Sequence, residues 1–83
     1  MRISIHPHAR LRMSERGATA AEVKETVARG ASTPAKFGRT QFRLAFAFNA
    51  MWNGKRYATK QIDAFAAKIR NGWIVITIIV RYS

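Results

Sequence analysis

The sequence contains no cysteine and only four acidic residues among its 83. Without cysteine the chain can form neither disulfide bonds nor thiolate centres, which fits a reducing compartment, and we expect a cytoplasmic location. Asp63 is the only acid after residue 30. This shortage argues against the paired carboxylates of glycosidases and against the carboxylate ligands of a two-metal nuclease.

Long apolar runs and phosphate-binding loops are also missing. The longest apolar run, Trp73–Val80, is far too short to cross a membrane. Residues 1–20 carry charges and no apolar stretch, so we expect neither a signal peptide nor membrane contact. The chain has no glycine-rich phosphate loop and no G-x-S-x-G motif, which argues against most hydrolase classes.

Basic residues dominate what is present. Fifteen Lys and Arg give a net charge of +11, above the roughly 2–8 that keeps a small domain soluble. Because self-repulsion of this size favours a bound polyanion, we predict RNA as the partner. With 48% apolar residues, the composition is that of a globular protein, and the length predicts a single domain over residues 1–83.

The N-terminal part predicts two helices joined at a glycine. Pro7 suits a first helical turn, and a helix from about Pro7 to Arg16 would end at Gly17. Thr19 and Glu22 have the spacing of a capping box, which predicts a second helix over 20–28 that ends at Gly30.

From Ser32 the hydrophobic period changes to that of strands. Phe42–Phe48 alternates apolar and other residues, as in a strand with one buried face. Asn53-Gly54 predicts a turn. The other predicted strands are Met1–Ile5, which is short and frayed, Thr33–Phe37 before a Gly38 turn, and Ile74–Val80, whose β-branched run suggests burial on both faces.

The segment Thr59–Ile69 fits two structures. Ile62, Phe65 and Ile69 have helical spacing, yet the odd-numbered residues from Tyr57 to Phe65 also alternate with the even-numbered residues from Ala58 to Ala64, as in a strand. Asn71-Gly72 would accordingly be a helix C-cap or a two-residue hairpin turn.

His8, Arg12 and Arg16 are spaced by four and share one helix face, with Glu15 beside them. Histidine can move a proton near neutral pH, and guanidinium groups can hold a phosphodiester and its developing charge. The alternative is an exposed polar face with ordinary ion pairs. His6 and His8 invite a metal interpretation, but too few further ligands exist, so we expect no metal and no cofactor.

A second cluster joins cations, an aromatic ring and an amide in Lys55, Arg56, Tyr57, Lys60 and Gln61. Cations hold phosphates, and tyrosine can stack on a base of single-stranded RNA. The alternative is a solvated edge strand protected by lysine.

Further candidates lie on the two predicted strands on either side of that cluster. Arg81 and Tyr82 follow the last strand, where sites are often built, although an ordinary strand exit would look the same. We expect Arg43 to contact nucleic acid with them, as part of the excess charge.

Several of these residues belong to a recognisable pattern. His8-Ala9-x-x-Arg12-Met13-x-x-Arg16-Gly17 and the helix after it resemble a family of small bacterial domains of uncharacterised function. The stretches Tyr57–Ile62 and Trp73–Thr77 resemble that family's second half.

These domains are similar to toxin ribonucleases of the RelE/BrnT type. The resemblance implies an α+β fold with two N-terminal helices packed on an antiparallel sheet of about four strands. It also implies that Tyr57 to about Ala67 is a strand, joined to Trp73–Arg81 by a hairpin.

In activity, the resemblance implies metal-free RNA cleavage, possible association with ribosomes, and an acidic antitoxin as a protein partner. His8, Arg12 and Arg16 carry over from the motif. Lys60, Gln61 and Tyr82 match the catalytic Lys, Gln and Tyr of some toxins. The competing hypotheses are an RNA-binding module without catalysis and a basic domain that binds an acidic protein.

Overall fold

The chain forms a five-stranded sheet that carries two helices on one face. A computed structural model describes all residues, 1–83. The elements in chain order are β1 (Arg2–Ile5), α1 (Pro7–Arg16), α2 (Ala20–Arg29), β2 (Ala31–Pro34), a 3-10 turn (Lys36–Gly38), β3 (Thr40–Trp52), β4 (Lys55–Ile69) and β5 (Gly72–Tyr82).

Local signals fix both helices. The His6 side chain caps α1 by accepting a hydrogen bond from the His8 amide, and Gly17 ends it in the left-handed region at φ 80°. Thr19 and Glu22 form the predicted capping box of α2. Both helices therefore confirm the prediction, with α2 one residue longer.

The sheet has the order β1-β5-β4-β3-β2, and β1 pairs with β5 in parallel. The α+β class and the two helices are confirmed, whereas the prediction of about four antiparallel strands is wrong. The fifth strand is the segment expected to be frayed. It pairs because Gly72 lets the chains approach: a Cβ there would lie 1.7 Å from the Arg2 carbonyl oxygen.

The long hairpin of β3 and β4 settles the ambiguous segment as strand. Its turn is Asn53-Gly54, with both residues at positive φ as a type I′ turn requires. The pairing partners on both sides of β4 outweigh the helical spacing of Ile62, Phe65 and Ile69.

Two turns differ from the predictions by a few residues. The β4–β5 turn consists of Arg70 and Asn71, with only Asn71 at positive φ, and Gly72 already belongs to the strand. Strand β2 ends at Pro34 rather than Phe37, because the chain enters the 3-10 turn at Lys36.

The core lies between the helices and one face of the sheet. α1 packs mainly on β5, and α2 packs on β3 and β4. Ala9, Val23, Ile62, Ala66 and Val75 are fully buried there. No helix covers the opposite face, so Ile79 is exposed, and the prediction that Ile74–Val80 is buried on both faces is wrong. No helix is long and apolar enough to span a membrane.

The two faces give a matched pair of substitutions. We expect Ile62→Ala to lower the free energy of unfolding by about 2–5 kcal/mol, because it leaves a cavity in the core. Ile79→Ala on the uncovered face should cost less than about 1 kcal/mol. Urea unfolding followed by circular dichroism measures both, and equal losses would contradict the assignment of the faces.

Candidate nucleic-acid interface

A cleft runs between α1 and the free edge of β5. Strand β1 pairs only with Gly72–Val75, so β5 has no neighbouring strand on that side from Ile76 onward. Arg12 and Arg16 line the cleft on the helix side, and Thr77–Val80 lines it on the strand side. Its volume is about 430 Å³. Two predicted site residues therefore meet unpaired backbone groups in one concave surface.

The two arginines differ in their partners. Arg12 lies 3.3 Å from a Glu15 carboxylate oxygen, and both side chains are nearly half exposed. Such a pair is weak and can exchange for another anion. Arg16 has no carboxylate partner. His8 is exposed one turn before Arg12 on the same helix, and its side chain makes no hydrogen bond within the protein.

Lys60 lies under the helices rather than at the surface. Its ammonium group donates to the Gly17 carbonyl oxygen at 2.8 Å and to the Glu22 carboxylate at 3.1 Å, and the residue is 5% exposed. Burial opposes ionisation of Glu22, but hydrogen bonds from Thr19 and Lys60 outweigh it and lower the pKa of the carboxyl. In this conformation Lys60 joins β4 to the α1–α2 junction and does not face the cleft.

Tyr82 contacts the end of α1. Its hydroxyl donates to the Arg16 carbonyl oxygen at 2.6 Å, and its ring stacks on Trp52 with centroids 5.1 Å apart. Burial and the charge of Glu22 raise the pKa of the hydroxyl, so it stays protonated and continues to donate. Gly17 permits this approach, since a Cβ would come within 2.6 Å of the Trp52 ring.

Asp63 organises the uncovered face of the sheet. Its carboxylate is 1% exposed and accepts hydrogen bonds from Arg43 Nε at 2.8 Å and from Arg81 Nη1. Gln61 Nε2 lies at 3.4 Å. Burial opposes ionisation of Asp63, but the two arginines outweigh it and lower the pKa of the carboxyl. Both guanidinium groups remain about half exposed.

The remaining candidates lie at the Asn53-Gly54 end of the long hairpin. The Lys55 ammonium group sits 5.5 Å from the centre of the Tyr57 ring. Arg56 is exposed and has no carboxylate partner. Tyr57 packs beside Tyr82 at 5.6 Å between ring centroids. This end of the hairpin therefore contacts the tyrosine that binds the C-terminal end of α1.

The predicted site residues thus form four groups, one of which is Lys55, Arg56 and Tyr57 at the end of the long hairpin. Arg12 and Arg16 meet in the cleft with His8 on the same helix. Arg43, Gln61 and Arg81 converge on the opposite face of the sheet, while Lys60 and Tyr82 are bound to the α1–α2 junction.

Asp63 and Glu22, the acids that bind Arg43 with Arg81 and Lys60, respectively, were not predicted as site residues. Asp63 is the only acid on a basic strand and lies two residues after Gln61, so both share one face. This pattern could have indicated Asp63 as the partner of the nearby cations. The capping role of Glu22 was predicted, but its pairing with Lys60 was not.

The donor set of the chain offers no metal site, since nowhere do three His, Asp or Glu side chains come together. Comparison of the chain with protein-family models, curated proteins and solved structures finds no match. The chemistry of the cleft therefore has to follow from its own geometry.

We expect Asp63→Asn to lower the free energy of unfolding by about 1–3 kcal/mol at pH 7, because two arginines lose a charged acceptor. The lowered folded-state pKa means that the ionised carboxylate stabilises the fold above its unfolded pKa, about 4. This stabilisation is lost as the pH falls through the folded value. Wild type and variant should therefore converge at low pH in urea unfolding.

The control for this prediction is Glu25→Gln, which removes an exposed carboxylate paired with Arg29. It should change stability by less than about 1 kcal/mol at any pH. If Asp63→Asn lowers the free energy of unfolding equally at neutral and acid pH, then the shape of the side chain, rather than its charge, matters at this position.

Proposed function

We propose that the protein binds RNA in the cleft between α1 and β5. The supporting observation is the concave surface of about 430 Å³ that Arg12 and Arg16 line against a strand edge with unpaired backbone groups. Guanidinium groups recognise phosphate oxygens with two parallel hydrogen bonds. A carboxylate competes only for Arg12 and only at the surface, so phosphate can replace it.

We further propose metal-independent cleavage of the bound strand, with His8 as the base. The imidazole takes the proton of a ribose 2′-hydroxyl, and the 2′-oxygen forms a bond to the adjacent phosphorus. The bond to the 5′-oxygen breaks, that oxygen takes a proton from water, and the imidazolium of His8 returns its proton to the hydroxide so formed. The products are a 2′,3′-cyclic phosphate and a 5′-hydroxyl. Arg12 and Arg16 hold the phosphate while negative charge develops on it.

Lys60 and Tyr82 enter this proposal as positioning residues, whereas Gln61 contacts Asp63 on the opposite face of the sheet. Lys60 and Tyr82 bind the carbonyl groups of Gly17 and Arg16, which fixes the end of α1 that carries the cleft arginine. The resemblance to RelE/BrnT-type toxins supports an acidic antitoxin and ribosomal RNA contacts as further proposed partners.

A second candidate function is RNA binding without cleavage. The favouring observation is that His8 has no hydrogen-bonded group to orient it, whereas catalytic bases are usually held by a third residue. The two functions share the cleft and differ only in what His8 does.

Binding is tested with Arg12→Gln, Arg16→Gln in fluorescence anisotropy of a labelled single-stranded RNA. Each phosphate contact on a single strand releases about 0.7 counterion. The slope of log affinity against log salt should therefore become shallower by about 1.4. Lys24→Gln, Arg29→Gln is the control with the same charge loss on α2, and an equal change in that control would contradict a localised site.

Cleavage is tested by incubating RNA with the protein in EDTA and resolving the products on a gel. Wild type should give fragments ending in 2′,3′-cyclic phosphate, and His8→Gln should reduce the rate by about 100-fold or more, as loss of a general base does. His6→Asn is the control, since asparagine keeps the helix cap but removes an imidazole. Unchanged RNA with the folded wild-type protein would leave binding as the function.

A further inference from the structure

The face of the sheet that the helices leave uncovered carries a cationic and aromatic surface of its own. The side chains at alternate positions of β3, β4 and β5 point to this face. One row across the strands is Gln41, Phe65 and Thr77, and the neighbouring row contains Arg43 and Asp63. The rows lie about 7 Å apart, two residues along a strand.

Phe37 stands at one end of this face. The residue is 86% exposed, the highest value among the large apolar residues. Its φ of 62° is in the left-handed region, which a bulky residue rarely adopts. Such conformations cluster at binding sites, where the surrounding structure holds them in place. The turn therefore presents an aromatic ring to solvent.

A cavity of about 380 Å³ adjoins this ring. Lys36, Phe37 and Arg39 line it on the side of the 3-10 turn. Gln41, Phe65 and Thr77 form the side made by the sheet. Neither Lys36 nor Arg39 has a carboxylate partner. The cavity thus combines two aromatic rings, an amide and two cations without a carboxylate partner, and the Arg39 guanidinium lies 5.8 Å from the centre of the Phe37 ring.

The next two rows supply one further cation each, Arg43 opposite Asp63 and Arg81 opposite Gln61. Arg43 and Arg81 are held by Asp63 and keep donors free, since Arg43 Nη1 and Arg81 Nη2 make no hydrogen bond within the protein. With Lys36 and Arg39, the face carries four cations against one carboxylate. Its charge complements a phosphate backbone, and its rings offer surfaces on which bases stack.

We propose that this uncovered face binds single-stranded RNA, with a base stacked on Phe37 at the cavity and a neighbouring phosphate held by Arg43 and Arg81. The surface lies across the sheet from α1, and its evidence is independent of the cleft. It provides affinity and positions the strand and takes no part in the bond breakage.

The test compares binding of a short fluorescein-labelled single-stranded RNA with binding of an abasic strand of equal length. Phe37→Ala should weaken binding of the RNA about 5- to 150-fold, the range for losing one base–aromatic stack. Binding of the abasic strand should not change. Leu11→Ala is the control, because it removes another exposed apolar side chain, on α1.

Phe37→Trp provides a second readout that does not depend on loss. It should bind RNA as tightly as wild type, and its added fluorescence should be quenched by RNA and not by the abasic strand. Absence of quenching, or equal weakening of both strands in Phe37→Ala, would overturn the proposal. Tight binding of polyglutamate that depends on Arg43 but not on Phe37 would assign the face to an acidic protein instead.

The two RNA surfaces can fail separately. If Arg12→Gln, Arg16→Gln weakens binding and Phe37→Ala does not, the cleft stands and this inference is overturned. If only Phe37→Ala weakens binding, the uncovered face stands and the proposed function of the cleft fails.

Discussion

The ion pair between Glu22 and Lys60 is the interaction on which the helical side of the structure depends. Lys60 points into the interior, where an unpaired ammonium group would be costly. Glu22 is the only carboxylate that reaches it, and the same carboxylate completes the capping box of α2. One acid therefore begins a helix, neutralises a buried lysine and fixes the helical hairpin to β4.

The ion pairs of the whole chain determine which cations remain available to a ligand. All four carboxylates of the chain contact cations, and five of the fifteen Lys and Arg are used in this way. Glu22 and Asp63 form ion pairs with cations on the strands. Glu15 and Glu25 form exposed ion pairs within the helices. Ten cations are left without a carboxylate, so a polyanion that binds the folded chain would relieve repulsion and stabilise the fold.

Local signals in the sequence were sufficient wherever a few neighbouring residues determine the backbone. The two helix caps and the Asn53-Gly54 turn are of this kind, because their hydrogen bonds or φ angles involve only adjacent residues. Local signals did not determine strand β4, since Thr59–Ile69 fits both the helical and the strand period. Only its pairing with β3 and β5 selects the strand. The parallel pairing of β1 depends on Gly72, some seventy residues away in sequence.

The candidate site follows the same division. The spacing of His8, Arg12 and Arg16 on one helix face is local and could be predicted, but the strand edge opposite them could not. The convergence of Arg43, Gln61 and Arg81 on Asp63 requires the register of three strands. The exposure of Phe37 could not be predicted from the sequence, because its positive φ depends on how the chain turns between β2 and β3.

Strand β5 connects the two proposed surfaces. Thr77–Val80 forms one wall of the cleft, Arg81 belongs to the uncovered face, and Tyr82 holds the end of α1. Because no other strand covers the free edge of β5, RNA bound in the proposed cleft would reach Arg81 across that edge. Binding on the uncovered face would then raise the effective concentration of the strand at Arg12 and Arg16. The proposed cleavage would depend on such positioning, since no group orients His8 and proximity is the main contribution that the cleft could offer.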